Sequence, residues 1–178
     1  MRLLTSAQLE AGLAGIRQSP SSIGTVELVV ARPAVDERRT LEVAQLDLTE
    51  GLVGDSWRSR AGDAEPDPDS QLNVMNARAI ALIAGDPDRW ALAGDQLYVD
   101  LDLSGANLPA GTRLAVGTAI IAVTAKPHRG CAKFSQRFGR DALRFVNSPA
   151  GRELRLRGLN ARVVQPGTVR RGDAVRKL

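Results

Sequence analysis

A mainly β fold is what this sequence predicts, a barrel of short strands interrupted by a few helical insertions. Three observations carry that expectation. Apolar and polar residues alternate in several short runs, most clearly where Leu97, Val99, Leu101 and Leu103 are spaced by Tyr98, Asp100 and Asp102. Turns bearing Gly and Pro, such as Leu108-Pro109-Ala110-Gly111 and Pro166-Gly167, separate the runs. Helical spacing is confined to a few short stretches. At 178 residues the chain is long enough to bury one sizeable core. The expected division is an N-terminal helix and lead-in over residues 1–24, then a single barrel domain over 25–178.

Taken in order, Thr5 with Gln8 forms a capping box, Leu9, Leu13 and Ile16 follow at helical spacing, and Ser19-Pro20 stops the helix. Thr25–Arg32 alternates Val26, Leu28 and Val30 toward one face, a half-buried strand. Thr40–Leu48 reads as a second strand with Leu41 and Val43 inward, and a slip of phase at Leu46 and Leu48 signals a bulge. Gly51 to Asp55 is a glycine-bounded turn. Residues 56–70 form a loop in which Asp63, Glu65, Asp67 and Asp69 alternate with small residues and prolines, an acidic lid or a plain exposed loop. Gln71–Met75 is a short strand, and Asn76 caps a helix that ends at Gly85. Strands at Arg113–Val116 and Ala119–Thr124 flank Gly117. Ala132–Phe138 is a short helix with Phe134 and Phe138 on one face. Ser148 caps and Pro149 opens a helix carrying Arg152, Arg155 and Arg157, closed by Gly158. Asn160–Gln165 is a strand, Thr168–Arg170 another, and Arg171-Gly172-Asp173 the last turn.

Composition excludes several classes. No run of 18 apolar residues exists, so no membrane-spanning segment is expected, and the polar Gln8 and Glu10 break any secretion signal. One cysteine forms no internal disulfide, which fits a reducing cytoplasm. With one histidine besides, a zinc site is not expected. Charge is unevenly spread. Residues 1–125 hold 10 Lys/Arg against 17 Asp/Glu, whereas residues 126–178 hold 14 against 3. Such a basic third attracts anions: a phosphorylated cofactor, an acidic substrate or nucleic acid. A nucleic-acid-binding barrel is disfavoured, because the chain is 3% aromatic and the basic third has no Tyr or Trp for stacking.

The candidate centre is Lys126-Pro127-His128-Arg129-Gly130-Cys131-Ala132-Lys133-Phe134, which holds the only cysteine and the only histidine. The thiolate is the reactive form of cysteine and forms more readily beside cations or at a helix start. The bland alternative is a buried, small apolar Cys131 and a loop histidine that orients its turn. Functionally, Cys131 is the candidate nucleophile or ligand and His128 a candidate proton donor.

The order of several pieces resembles the MOSC family, named for the C-terminal domain of molybdenum cofactor sulfurases. They are Gly51-Leu52-Val53-Gly54-Asp55, Gln71-Leu72-Asn73-Val74, Leu108 to Leu114, Gly130-Cys131-Ala132-Lys133-Phe134, Arg157 to Val163, and Pro166-Gly167-Thr168-Val169 with Gly172-Asp173. The resemblance spans about residues 25–176 and is to a stand-alone, bacterial-type member. It implies a closed, pyruvate-kinase-like β-barrel with a cysteine at its pocket. Members either carry sulfur on that cysteine for maturation of molybdenum cofactor (molybdopterin) or bind the cofactor through it, and the latter reduce N-hydroxylated compounds with outside electrons. Carried over, Cys131 is the sulfur carrier or the metal ligand, and Asn160 with Arg162 lies in the late pocket strand. An electron-donor or sulfur-donor protein is the implied partner. Gly94-Asp95-Gln96-Leu97 stands where many members have Gly-Glu-Asn-Leu, so the pocket carboxylate and amide are expected to be moved or missing. For the cofactor's phosphate the candidates are Arg129 and Lys133, then Arg157 and Arg162; Arg137, Arg140 and Arg144 read as solvated helix positions. A non-catalytic carrier that docks on a partner enzyme needs the same thiol.

Overall fold

The computed structural model describes residues 3–178; residues 1 and 2, the start of the N-terminal lead-in, lie outside the described residues. Eleven strands occur among them: β1 (Ile23–Ala31), β2 (Arg39–Leu41), β3 (Val43–Asp47), β4 (Gly51–Leu52), β5 (Leu72–Asn76), β6 (Leu97–Asp100), β7 (Arg113–Val116), β8 (Ala119–Val123), β9 (Leu159–Gln165), β10 (Gly167–Arg170) and β11 (Ala174–Lys177). The α-helices are α1 (Ser6–Ala11), α2 (Leu13–Arg17), α3 (Ala77–Ala84), α4 (Ala132–Asn147) and α5 (Pro149–Glu153). Seven strands close into a barrel in the order β11-β7-β8-β9-β5-β6-β1, with β1 pairing back onto β11. Closure leaves no unpaired edge in the ring. β2 adds to β1, and a second sheet, β10-β3-β4, packs Ala44, Leu46, Leu52 and Val169 into the same interior.

The expected mainly β barrel is therefore the fold, and the helices form a layer outside it. Alternation explains both cores. On β5, β6 and β9, Leu72, Val74, Leu97, Val99, Leu159 and Ala161 point into the barrel. Met75 and Tyr98, of opposite parity, pack against α3 and α4 in a second cluster with Phe134, Phe138 and Phe145. The second face of these strands is thus apolar over much of its length and polar where the site sits.

Several local expectations are corrected. In β1 a register shift between Val26 and Leu28 flips the phase, so Val26, Val29 and Ala31 face the barrel while Leu28 and Val30 face the helices. An inserted residue exchanges the two faces of a strand. The expected strand over 40–48 is two strands in different sheets, and Val43, expected inward, is half exposed whereas Ala44 and Leu46 are buried. β4 forms where only a turn was expected, paired with β3, and β11 forms after the last expected turn, where no element was assigned, held by β7 and β1, which are distant in sequence. The first helix breaks at Gly12, where a Cβ would strike the Leu82 side chain. α5 stops at Glu153, so Arg155 and Arg157 are not helical: Arg155 adopts φ 49° and opens the turn that delivers β9. The short helix expected over 132–138 does end there, because Gly139 (φ 91°) kinks the chain before it resumes to Asn147.

Candidate functional site

The site is built on the outer wall of the barrel. Asn73 on β5 and Asn160 on β9 are register partners, and both point away from the interior. The Asn73 Nδ2 donates to Asn160 Oδ1 at 2.6 Å. Arg32, just beyond β1, donates Nη1 to Asn73 Oδ1 and to the Gly94 carbonyl, both at 2.9 Å. Its Nε and Nη2 grip the Asp55 carboxylate at 2.8 and 2.9 Å, a bidentate buried pair. One buried network thereby ties β1, the 51–55 turn, β5 and β9.

The Cys131 segment is hung on that wall. Asn160 Nδ2 donates to the Lys126 carbonyl at 3.0 Å. Asn147, at the end of α4, bonds Gly130 reciprocally, accepting from its N–H at 3.1 Å and donating to its carbonyl at 3.2 Å. His128 fits between these anchors. Its Nδ1 lies 3.0 Å from the Asn73 amide nitrogen, which only donates, so Nδ1 accepts and the neutral ring's hydrogen sits on Nε2. Nε2 faces Asp95 Oδ1 at 3.6 Å, and neither atom has a hydrogen-bond partner among the described residues. Burial first, and the Arg157 charge second, hold the His128 pKa down to about 4. A ring neutral at pH 7 and engaged through Nδ1 favours the turn-orienting role over that of proton donor.

Asp95 and Gln96, expected to be moved or missing as pocket groups, are fully buried behind His128. Asp95 accepts from Arg157 Nη1 at 2.6 Å, and Gln96 Oε1 accepts the Asn73 N–H at 2.8 Å. Arg157, expected at a phosphate, is buried, donates its other terminal nitrogen to the Ala93 carbonyl, and stacks over Phe134 at 5.1 Å. It is spent on structure. Gly158 makes this turn possible: at φ 103° an added Cβ would sit 2.4 Å from the Val74 carbonyl oxygen. Gly158→Ala is expected to lower unfolding free energy by about 2 kcal/mol or more, read by urea denaturation, because strain and clash add.

Cys131 is exposed and free, which overturns the buried-filler reading. It is the N-cap of α4, whose part before Gly139 is pinned by the buried Phe134 and Phe138, with ring centroids 4.9 Å apart. The thiol lines a chamber of about 260 Å³ together with Arg32, Arg38, Arg60, Lys133 and Arg137. Arg32 is balanced by Asp55 and Arg137 by Asp36 at 2.6 Å, so Arg137 is a wall residue of the chamber and not a solvated helix position. Arg60 is only at the 4.0 Å limit from Asp55. Arg38 has a buried Nε with no acceptor among the described residues, and burial followed by the Arg137 and Arg32 charges lowers its pKa. Arg38, Arg60 and Lys133 therefore stand as surplus positive charge around the thiol. Arg129 is exposed and, with His128, Trp57, Asn73 and Asn160, lines an adjoining cavity of about 440 Å³. Arg162 is exposed two residues beyond Asn160 on the same face of β9. Arg140 and Arg144 are exposed on α4.

Arg32, Asp55, Arg38, Arg60, Asn73 and Asn147 were not singled out from the sequence. A charged residue directly after an apolar strand marks Arg32, and Asp55 and Asn73 lie inside the pieces that carry the family resemblance. Arg38 and Arg60 are loop residues without a local signal. Among the described residues no group of three or more His, Cys, Asp or Glu is placed to hold a metal ion. No helix is long and apolar enough to cross a membrane among the same residues.

The MOSC domain family model matches residues 68–176. Among solved structures, the chain is similar to the YuaD protein from Bacillus subtilis, with TM-score 0.60 and 16% identity over 86% of this chain and 94% of that one. It is also similar to YiiM from Escherichia coli, with TM-score 0.56 and 19% identity over 86% of this chain and 69% of that one. YiiM from Geobacillus stearothermophilus gives TM-score 0.54 and 14% identity over 89% and 73% of the two chains. Likeness at these identities speaks for the fold. No curated protein matches the chain.

Proposed function

This chain belongs to the MOSC domain family, and from that premise we propose that the Cys131 chamber holds molybdenum cofactor, or a sulfur atom destined for it. The observation that carries this reading is an exposed thiol in a chamber whose cations outnumber its carboxylates. The donor set suits the group. A thiolate is a soft ligand fit for molybdenum or for carrying a persulfide, and the phosphate that ends the cofactor matches the forked guanidinium donors of Arg38 and Arg60. The buried, unpartnered Arg38 Nε is a donor without its acceptor, as an anion site requires.

In this assignment Cys131 provides the sulfur, Arg38, Arg60 and Lys133 neutralise the phosphate, and Asn160, with Arg129 beyond it, borders the adjoining cavity where a substrate enters. When bound, the cofactor supplies two-electron redox chemistry at molybdenum. His128 keeps the Cys131 segment in register through Asn73, and Asp95 with Arg157 closes the floor against water. Reduction of an N-hydroxylated compound, with electrons from a donor protein, is the activity that fits a cofactor-retaining chamber. Sulfur transfer fits a chamber that releases its load, and so does a carrier that docks on a partner enzyme.

The test is purification from a molybdenum-replete host, metal analysis, and comparison of wild type with Cys131→Ser. A serine hydroxyl is nearly isosteric but a harder ligand that forms no persulfide. Wild type is expected to retain molybdenum or a one-sulfur mass gain, and the variant to lose at least tenfold of either while its melting temperature is unchanged. Equal loading of the two proteins would show Cys131 to be incidental and end this reading.

A further inference from the structure

A third cavity, of about 200 Å³, lies on the other side of the Cys131 segment. Residues 126–129 line it and also line the cavity that holds Asn73 and Asn160, so this segment is the wall between the two. Its remaining walls come from the end of α4, from α5 and from the start of β9. Four cations line it, Lys126, Arg129, Arg152 and Arg155, and no carboxylate does. Lys126 is balanced by Asp67, which lines the opposite cavity. Arg129 and Arg152 have neither hydrogen bond nor ion pair among the described residues.

Arg155 is fixed in place. Its Nη1 donates to the carbonyls of Leu108 at 2.7 Å and Leu103 at 3.4 Å. Its backbone is held at φ 49°, a left-handed conformation that is strained for a residue with a Cβ. The only influence on its pKa is burial, which lowers it, and no acid opposes that. A half-buried guanidinium anchored on two carbonyls, with a strained backbone, lines the same cavity as two unpaired arginines and so offers an anion a fixed cation beside two free ones.

We propose that this cavity is a second anion site, sized and charged for a single phosphate group. Its volume lies below the roughly 300–1,000 Å³ of pockets that enclose drug-sized ligands, so a small oxyanion with its waters fills it. Guanidinium forks and the absence of any lining carboxylate select a dianion over a neutral solute. The site uses neither Cys131 nor the chamber cations, and it stands whether or not that chamber holds a cofactor. Because residues 126–129 wall it, an anion here braces the segment that presents Cys131.

The probe is inorganic phosphate, titrated into the full ¹⁵N-labelled chain and followed by amide shifts. Saturable shifts are expected at Asn147, Gly151, Arg152 and Gly158. Arg152→Glu, a change at an exposed residue, is expected to weaken these shifts at least tenfold while leaving those at Cys131 and Lys133 as in wild type. Arg38→Ala should do the reverse. A phosphate monoester such as glycerol phosphate separates the two sources: comparable affinity assigns the site to a phosphorylated molecule, and a tenfold loss assigns it to the free ion. No shift at the four amides, or shifts that Arg152→Glu leaves intact, would overturn the assignment.

Discussion

Replacing Arg32 with alanine is expected to destabilise the protein by about 3–5 kcal/mol, the range for removing one partner of a buried ion pair. Arg32 is 6% exposed and donates to Asp55, Asn73 and the Gly94 carbonyl. The Asp55 side chain is wholly buried, so the variant leaves a carboxylate whose near cation is Arg60, at 4.0 Å and half exposed. Asp55 also accepts the backbone N–H groups of Arg32 and Trp57 at 2.9 Å, which keep it from leaving. Most of the cost is therefore that of an uncompensated charge and not the worth of the pair. Urea denaturation of three proteins separates the two. Arg32→Ala should lose the full amount, whereas Arg32→Met combined with Asp55→Leu should recover more than half. Equal loss in the single and double variants would show that the network stabilises through its geometry instead.

The second large effect is acid lability set by His128. Its folded pKa, about 4, lies below the unfolded value of 6.5. The unfolded chain then takes up the proton first, so stability is complete above pH 6.5 and falls as the pH drops toward 4. The span of roughly 2.5 units corresponds to about 3 kcal/mol at 1.36 kcal/mol per unit. The chain has one histidine, and from pH 6.5 down to about 5 no other side chain of ordinary pKa titrates. Unfolding free energy measured by urea at half-unit steps from pH 7.5 to 4.5 should decline in wild type. His128→Gln keeps an acceptor toward Asn73, removes the proton site, and should flatten the curve in that window. An unchanged slope in the variant would refute the assignment. Acidification should also loosen the Cys131 segment, because an imidazolium gives up the bond it accepts at Nδ1.

What the sequence determined by itself was whatever repeats over a few residues. Alternation marked Leu97 to Leu103 as a strand, of which Leu97–Asp100 is one, Thr5 with Gln8 marked a helix start, and the spacing of Phe134 and Phe138 marked the helix that Cys131 caps. The order of glycine-bearing pieces marked the family, because a positive φ at Gly54, Gly158 or Gly172 is a local demand of the backbone. The Cys131 stretch itself stood out in its composition. Its wall did not. Arg32, Asp55, Asn73, Asp95, Asn147 and Asn160 come from segments up to 128 residues apart, and barrel closure is what brings them together. The same closure gave Arg157 to Asp95 and the Ala93 carbonyl, and buried His128 until its proton affinity dropped. The bulge in β1 was equally beyond local pattern, since Val26, Leu28 and Val30 alternate correctly for one face until one extra residue turns the strand over. Periodicity reports which way a side chain points. Which charges meet, and which remain unpaired, is decided by sheet register and by water excluded from the network, and those are properties of the folded chain alone.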